Sequence, residues 1–236
     1  MKKILVTGCS KGIGFEIVKS FSSDSTISIL AISRDIKGLN KLKEECLNIN
    51  PDFNLSILSI DLSDIKSTDV ILKFIKSHFD GVIDGVIHNA GFLVNKSFVD
   101  ITTKELEESF KINFFTPFFL TQQLIPHYSL NAHTLFISSM GGMQGTQKFP
   151  GLSAYSTSKS TLISLTECLS EEFKMTNFRF NCLALGAVQT EMLNKAFPGY
   201  KAPLSANEMG SYIVDFYING SRYFNGQVLP ISLTTP

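Results

Sequence analysis

The sequence has no surplus of charge of either sign. Its 21 lysines and arginines balance 21 aspartates and glutamates, so the formal net charge at pH 7 is zero. A neutral chain lacks the basic surface that captures nucleic acid, and we therefore expect no nucleic-acid partner. Charged residues make up 18% of the chain and hydrophobic residues 44%. This composition is typical of compact globular proteins and not of disordered ones.

Long apolar runs and cysteine clusters are also missing. No stretch approaches the roughly 18 apolar residues that a membrane span needs. The short apolar run at residues 4–6 ends at Thr7, which indicates a strand and not a signal peptide. The four cysteines are scattered, and neither they nor the four histidines have the spacing of a metal site. We expect reduced thiols, a cytoplasmic location, no metal and no membrane partner.

Short β-rich runs alternate with longer stretches of helical spacing. Leu39, Leu42 and Cys46 return every three or four residues, as on the buried face of a helix. The run at 29–32 is apolar on both faces, which suits a parallel strand covered by helices on both sides. The pattern predicts an α/β fold, a doubly wound and mainly parallel sheet in a single domain over residues 1–236, with a short loop region at 191–205. The seven predicted strands are residues 3–6, 27–32, 55–60, 82–87, 134–137, 178–183 and 227–231.

A glycine-rich loop follows the first predicted strand. Residues 7–14 read TGCSKGIG and lead into an amphipathic stretch. Such a loop lets backbone N–H groups approach a pyrophosphate, and the N-terminus of the next helix attracts the anion. The alternative is a tight turn without a ligand, because the spacing is not G-x-G-x-x-G. The order of strand, glycine loop and helix favours a dinucleotide.

Residue 34 bears on which dinucleotide binds. Arg34 lies 20 residues past Gly14, where dinucleotide folds often place an acid on the ribose 2′-hydroxyl. Together with Lys11, Arg34 would pair with a 2′-phosphate, so NADP(H) is favoured over NAD(H). If the strand ends one residue later, Asp35 would face the ribose and the preference would reverse.

Tyr155 and Lys159 are four residues apart in a helical stretch, which places the phenol and the ammonium on one helix face. Coincidence is the alternative, because tyrosine and lysine are common enough to meet this spacing by chance. The preceding predicted strand runs into Ser139, and ligands of open α/β sheets bind beyond the carboxyl ends of strands. Ser139 would therefore face the same crevice.

Further motifs occur in order along the chain. Asp61 follows the third predicted strand, Asn89-Ala90-Gly91 follows the fourth, and Asn113 lies in the next helical stretch. With the glycine loop, Ser139 and Tyr155-x-x-x-Lys159, they resemble the short-chain dehydrogenase/reductase family over essentially the whole chain. Residues 179–181, 186–192 and 225–228 match as well. The resemblance implies a Rossmann-type fold and an NAD(P)-dependent oxidoreductase.

The resemblance implies a role for each member of a catalytic set. Tyr155 is the general acid in reduction, Ser139 hydrogen-bonds the substrate carbonyl, Lys159 holds the nicotinamide ribose, and Asn113 supports a water-linked proton relay. A free phenol has a pKa near 10, too high for proton transfer at neutral pH. We therefore expect the Lys159 charge to lower the pKa of Tyr155 by about 1–3 pH units.

The resemblance also implies a cofactor set. Asp61 and Leu62 contact adenine, residues 89–91 line its ring and ribose, and Val188 and Thr190 hold the carboxamide. Structural alternatives are that Asp61 caps a helix near residue 64, that 89–91 is a strand-end turn, and that Thr190 is an N-cap. The full predicted set is Gly8, Ser10, Lys11, Gly12, Ile13, Gly14, Ser33, Arg34, Asp61, Leu62, Asn89, Ala90, Gly91, Tyr155, Lys159, Gly186, Val188 and Thr190.

Three departures from the family pattern stand out. His88 replaces an asparagine before Asn89, and Leu185 replaces the proline usual before Gly186. We interpret His88 as a packed histidine and not a catalyst. The 16-residue gap from Ser139 to Tyr155 is longer than usual, so residues 141–148 are expected to bulge across the site, and Ser138 is the alternative to Ser139.

The function implied is reduction of a ketone or aldehyde to an alcohol, or the reverse, by hydride transfer from NADP(H). The alternatives are a regulator or scaffold that binds nucleotide without catalysis, and a lyase or epimerase, whose larger C-terminal substrate domain is absent here. Helical faces at 110–120, with their phenylalanine cluster, and at 152–173 predict a homodimer or homotetramer. The predicted apolar walls of a rather open pocket are Met140, Met143, Phe149, Leu185, Met192 and Phe197.

Overall fold

The computed structural model describes residues 1–64 and 66–233, so Ile65 and the last three residues of the predicted domain lie outside the described residues. The strands within these ranges are β1 (Lys2–Thr7), β2 (Ile27–Ser33), β3 (Asn54–Ser59), β4 (Ile83–His88), β5 (Tyr128–Ser139), β6 (Arg179–Leu185), β7 (Val188–Gln189), β8 (Leu204–Ser205) and β9 (Val228–Ile231). The α-helices are α1 (Gly12–Phe21), α2 (Ile36–Ile49), α3 (Ser67–His78), α4 (Thr103–Phe110), α5 (Thr116–Leu124), α6 (Ser153–Glu172), α7 (Glu191–Ala196) and α8 (Ala206–Asn219).

Seven strands form one sheet in the order β3-β2-β1-β4-β5-β6-β9. Every neighbouring pair is parallel, which confirms the predicted doubly wound α/β fold. The chain builds outward from β1 through β2 and β3 and then returns to place β4 on the other side of β1. Ligands of such sheets bind at this reversal, beyond the carboxyl ends of β1 and β4.

Both faces of the sheet are covered, as the apolar run at 29–32 predicts. Ile29 packs into a cluster with Ile17 of α1 and Leu42 of α2. Its neighbour Leu30 packs on the opposite face, in a cluster with Ile71 of α3. Successive side chains of a strand point to opposite faces, so burial on both sides requires an unbroken apolar run.

Six of the seven predicted strands begin and end within two residues of their observed limits, but β5 starts six residues earlier than predicted. Tyr128 at its start pairs with Ile83 of β4, and the register shifts between Ile83 and Gly85. Residues 130 and 131 are exposed. The first half of β5 therefore lacks a continuous apolar pattern, and the sequence does not predict it as a strand.

The predicted helical stretch at 110–120 is not one helix. It comprises the end of α4, a π-helical turn at Lys111–Phe115 and the start of α5. The phenylalanine cluster divides in two. Phe114 and Phe118 pack against the core around Phe136, whereas Phe115 and Phe119 are about half exposed.

Candidate active site

A cleft of about 670 Å³ lies at the carboxyl ends of the central strands. It is lined by residues from the glycine loop, from the turn after β4, from the end of β5 and from the start of α6. The structure brings the whole predicted site set to this cleft except Gly14 and Asn113, which do not line it.

The glycine loop has the backbone geometry of an anion cradle. Gly8 and Gly12 have φ angles of +75° and +61°, a region that side chains other than glycine's disfavour. Gly12 is the first residue of α1, so the helix N-terminus with its unpaired N–H groups opens into the cleft. Gly14 allows α1 to pack closely against the loop, because a Cβ there would lie 2.2 Å from the Gly8 carbonyl oxygen. The loop therefore fits a pyrophosphate.

Asn89 and Thr7 join this loop to the turn after β4. The Thr7 hydroxyl accepts hydrogen bonds from the backbone N–H groups of Asn89 and Ala90, at 3.1 and 3.0 Å. The Asn89 Nδ2 donates to the carbonyls of Thr7 and Gly8, at 3.1 and 3.2 Å. Residues 89–91 thus form the strand-end turn expected as the structural alternative. The same residues also line the cleft, as the resemblance implies.

Arg34, and not Asp35, lines the cleft beyond β2. The Asp35 carboxylate accepts from the Lys37 backbone N–H at 3.0 Å and caps α2. Arg34 Nη1 lies 3.9 Å from Asp61 Oδ2, and both side chains are about half exposed or more. Burial alone would raise the pKa of Asp61, but hydrogen bonds from Ser63 and the Arg34 charge lower it.

Lys11 reaches across the mouth of the cleft from the glycine loop. Its Nζ lies 2.6 Å from Glu191 Oε2, at the first residue of α7. The sequence predicts that Lys11 pairs with a 2′-phosphate and predicts no role for Glu191. The pair joins residues 180 positions apart, which no local sequence signal reveals.

Ser139, and not Ser138, is available to a ligand beside Tyr155. The Ser138 hydroxyl is buried and donates to the Lys159 backbone carbonyl at 2.8 Å, which fixes β5 to α6. The Ser139 hydroxyl lines the cleft, accepts from the Gly141 N–H at 3.2 Å and interacts with the Tyr155 phenol. The geometry thus favours Ser139 over its alternative.

Lys159 is a buried ammonium on α6. Its Nζ donates to the Ile137 backbone carbonyl at 2.8 Å, and a Cβ built on Gly91 would meet both this Nζ and Asn113 Oδ1 at 3.5 Å. Burial lowers the pKa of Lys159 to about 8, and the Cys182 thiol acts weakly in the opposite direction.

The Tyr155 phenol differs from the sequence expectation. Burial raises its pKa to about 12, and only the hydrogen bond with Ser139 acts to lower it. Because the Lys159 ammonium is directed at the Ile137 carbonyl, the predicted lowering of the Tyr155 pKa by Lys159 is not found here. Tyr155 is therefore protonated at neutral pH, the state that a proton donor needs, but with this pKa it is a weaker acid than the sequence predicts.

The Asn113 side chain is buried in the π-helical turn and fully hydrogen-bonded. Its Nδ2 donates to the Phe92 carbonyl and to Ser158 Oγ, and its Oδ1 accepts from the Phe92 N–H, each at 2.8 Å. The amide thus fixes the segment after Gly91 against α6. Single π-helical turns inside helices are frequent at functional sites.

His88 is packed in the core, as expected. Its Nε2 lies 2.8 Å from Thr121 Oγ1, and its ring stacks on Phe136 with centroids 5.1 Å apart. Burial and then the Lys159 charge lower the pKa of His88 to about 3, so the imidazole is neutral at pH 7.

The two predicted carboxamide residues flank the far side of the cleft. Val188 is buried in β7, and the Thr190 hydroxyl accepts from the Leu193 N–H at 3.2 Å as the N-cap of α7. Both also line the cleft, together with Gly186 and Leu62. Thr190 is therefore an N-cap, as the structural alternative predicts, and it also lines the cleft.

Most of the side chains at the proposed substrate end of the cleft are apolar. Five of the six predicted wall residues line it, but Met143 does not and lies in a neighbouring depression with Phe98 and Lys148. The 3₁₀ turn at Met140–Gly142 directs Met140 into the cleft, and the chain then leads Met143 away. The sequence missed other lining residues here, which are Leu93, Gln147, Leu152, Leu193 and Tyr200.

The chain is similar to a known protein family and to several curated proteins. The family described as short chain dehydrogenase matches residues 2–201. The 3-ketodihydrosphingosine reductase of Dictyostelium discoideum is 29% identical over 196 residues, which span 76% of this chain and only 58% of that protein. Carbonyl reductase [NADPH] 2 of Sus scrofa is 28% identical over 190 residues, or 80% of this chain and 73% of its own length.

Solved structures share the fold. A short-chain dehydrogenase/reductase from Serratia marcescens superposes with a TM-score of 0.86 and 21% identity, over 98% of this chain and 96% of that one. No helix within residues 1–64 or 66–233 combines the length and hydropathy needed to cross a bilayer.

Proposed function

Because this chain belongs to the short chain dehydrogenase family, we propose that it is an NADP(H)-dependent reductase that converts an aldehyde or ketone to an alcohol. The observation that carries the proposal is the placement of Tyr155 and Ser139 together on one wall of the cleft, with Lys159 one helical turn further along α6. The family is one of NAD(P)-binding oxidoreductases, and the direction, substrate and cofactor preference are our inference.

The catalytic residues would act on one carbonyl oxygen. When bound, the reduced nicotinamide supplies a hydride to the carbonyl carbon. Negative charge then develops on oxygen, where the Ser139 hydroxyl donates a hydrogen bond and the Tyr155 phenol delivers a proton. A protonated phenol is the state from which reduction starts. The Lys159 ammonium, near Gly91 and Asn113, would hold the nicotinamide ribose.

The preference for NADP(H) is supported at the ribose end. Arg34 lines the cleft with an exposed guanidinium, and Lys11 lines it from the glycine loop. Asp35, which would favour NAD(H), is engaged in capping α2. A 2′-phosphate would thus meet two cations, one of them able to form a bidentate pair.

The experiment is a turnover assay with NADPH or NADH and a set of aldehydes. We expect aldehyde-dependent oxidation of NADPH, with a higher kcat/KM than for NADH. Arg34→Ala should reduce the NADPH preference by roughly ten- to a hundredfold, the usual effect of losing a charge-assisted hydrogen bond. The exposed Arg222→Ala serves as control. If NADPH binds but no carbonyl compound causes its oxidation, the protein is instead a nucleotide-binding regulator.

A further inference from the structure

Two chain segments cover the substrate end of the cleft. One is the loop at 140–152 between β5 and α6, and the other is α7 with the residues that follow it. Phe149 of the first and Phe197 of the second both line the cleft, and their rings meet edge to face with centroids 6.3 Å apart. The aromatic pair is thus a direct contact between the two segments.

The space they cover is suited to an apolar group. Leu152, Leu193 and Tyr200 line it beside the aromatic pair. Among the described residues of the cleft, the charged side chains are Glu191 and four members of the predicted cofactor set. Lys11 pairs with Glu191, Arg34 faces Asp61, and Lys159 is bound to Ile137. The cations of the cleft are thus those proposed above to hold the cofactor, and the side chains named beside the aromatic pair carry no charge.

Asn95 links the two covering segments. Its Nδ2 donates to the Ala196 carbonyl at the end of α7, at 2.6 Å. Its Oδ1 lies over Gly151 so closely that a Cβ on that glycine would be only 1.9 Å away. Gly151 has a φ of +85°, so the backbone turns there in a way that leaves room for the amide.

The segment that carries Asn95 is itself held in place. The Lys96 N–H donates to the Gly151 carbonyl at 3.0 Å, and Lys96 Nζ binds both oxygens of Glu105 at 2.9 and 3.0 Å. On the other side the Asn113 amide fixes Phe92. An anchored side chain can hold two segments at a fixed separation, whereas a mobile one cannot.

We propose that Asn95 is a positioning residue that sets the size of the apolar substituent accepted by the site, by holding α7 against the loop at 140–152. The inference rests on the proposed reductase function and identifies its substrates as carbonyl compounds with an uncharged apolar substituent. Asn95 acts through Phe149 and Phe197 and takes no part in proton transfer.

The link itself is tested by hydrogen exchange of the NADPH-bound protein. Asn95→Ala removes both amide contacts, and Asn95→Asp keeps the shape but turns an oxygen toward the Ala196 carbonyl. Both should speed exchange in 141–152 and 191–197 by roughly two- to tenfold, the range expected from losing one hydrogen bond. Asn219→Ala, which removes an exposed amide bonded to Asp215 at 2.8 Å, should leave both segments unchanged.

The substrate claim is tested by kinetics with propanal, benzaldehyde and 2-naphthaldehyde. In Asn95→Ala we expect kcat/KM for 2-naphthaldehyde to rise relative to propanal by roughly two- to tenfold, with kcat for propanal and the NADPH affinity unchanged. Equal losses for all three aldehydes with a lower Tm would show a merely structural residue and overturn the proposal, as would unchanged exchange. If the wild-type protein reduces neither these aldehydes nor the corresponding methyl ketones, the reductase function fails, while the exchange measurement still decides whether Asn95 links the segments.

Discussion

At the scale of single residues, burial shifts the pKa values of the Tyr155 phenol and the Lys159 ammonium in opposite directions. Burial raises the pKa of Tyr155 to about 12 and lowers that of Lys159 to about 8, since a low-dielectric environment disfavours the charged form of each. The same physical cause thus keeps the phenol protonated and brings the ammonium close to losing its proton. In the proposed mechanism, reduction requires a protonated Tyr155 phenol and a charged Lys159 ammonium.

The reductase rate should therefore depend on pH through Lys159. Below about pH 8 the ammonium is charged and the rate should be level, because Tyr155 stays protonated throughout. As the pH rises through about 8 the charge is lost and kcat/KM should fall. A profile of NADPH-dependent aldehyde reduction, with cofactor affinity measured at each pH, tests this. A rate that climbs between about pH 7 and 9 would contradict it.

At the scale of helices and strands, the sequence predicted what depends on local pattern. Unbroken apolar runs located the sheet, and the glycine loop and Tyr155-x-x-x-Lys159 located most of the cleft. The first half of β5 was missed because exposed residues interrupt its apolar pattern. The π-helical turn that holds Asn113 was missed too, and the Asn113 contacts with Phe92 and Ser158 are tertiary ones that no local pattern indicates.

The covering segments illustrate the same limit. Asn95 contacts Ala196, 101 residues away, and Lys11 contacts Glu191, 180 residues away. Neither asparagine nor glutamate carries a sequence signal for such a contact, because any polar surface residue has the same pattern. Met143 was wrongly placed in the cleft since a methionine near the site cannot be oriented without the turn at Met140–Gly142.

At the scale of the whole molecule, two buried neutral histidines link stability to pH. His133 is held between the Tyr217 carbonyl and Asn181, and burial lowers its pKa to about 4. The pKa of His88 is lowered to about 3. The four cysteines are free thiols, and the cytoplasmic location stays a prediction. The homodimer or homotetramer stays a prediction, with exposed Phe115 and Phe119 as the proposed contact.

Acid should therefore destabilise the fold before most carboxylates titrate. Below pH 6.5 the unfolded histidines gain protons that His88 and His133 cannot accept while folded, so stability is full above that pH and falls below it. Between pH 6.5 and 5 the loss should reach about 4 kcal/mol for the two groups. Urea unfolding at several pH values measures it. His133→Gln should weaken this pH dependence, whereas the exposed His78→Gln should retain it.

The most direct test of the account is the turnover of Tyr155→Phe, since the proposed chemistry depends on this one hydroxyl. The variant should lose at least about a hundredfold in kcat for aldehyde reduction, the usual minimum for removing a general acid, while NADPH affinity changes less than about twofold. Tyr223→Phe, which alters a largely exposed phenol, is the matched control and should retain wild-type activity. A Tyr155→Phe protein that still reduced aldehydes within about tenfold of the wild-type rate would contradict the assignment of Tyr155 as the proton donor.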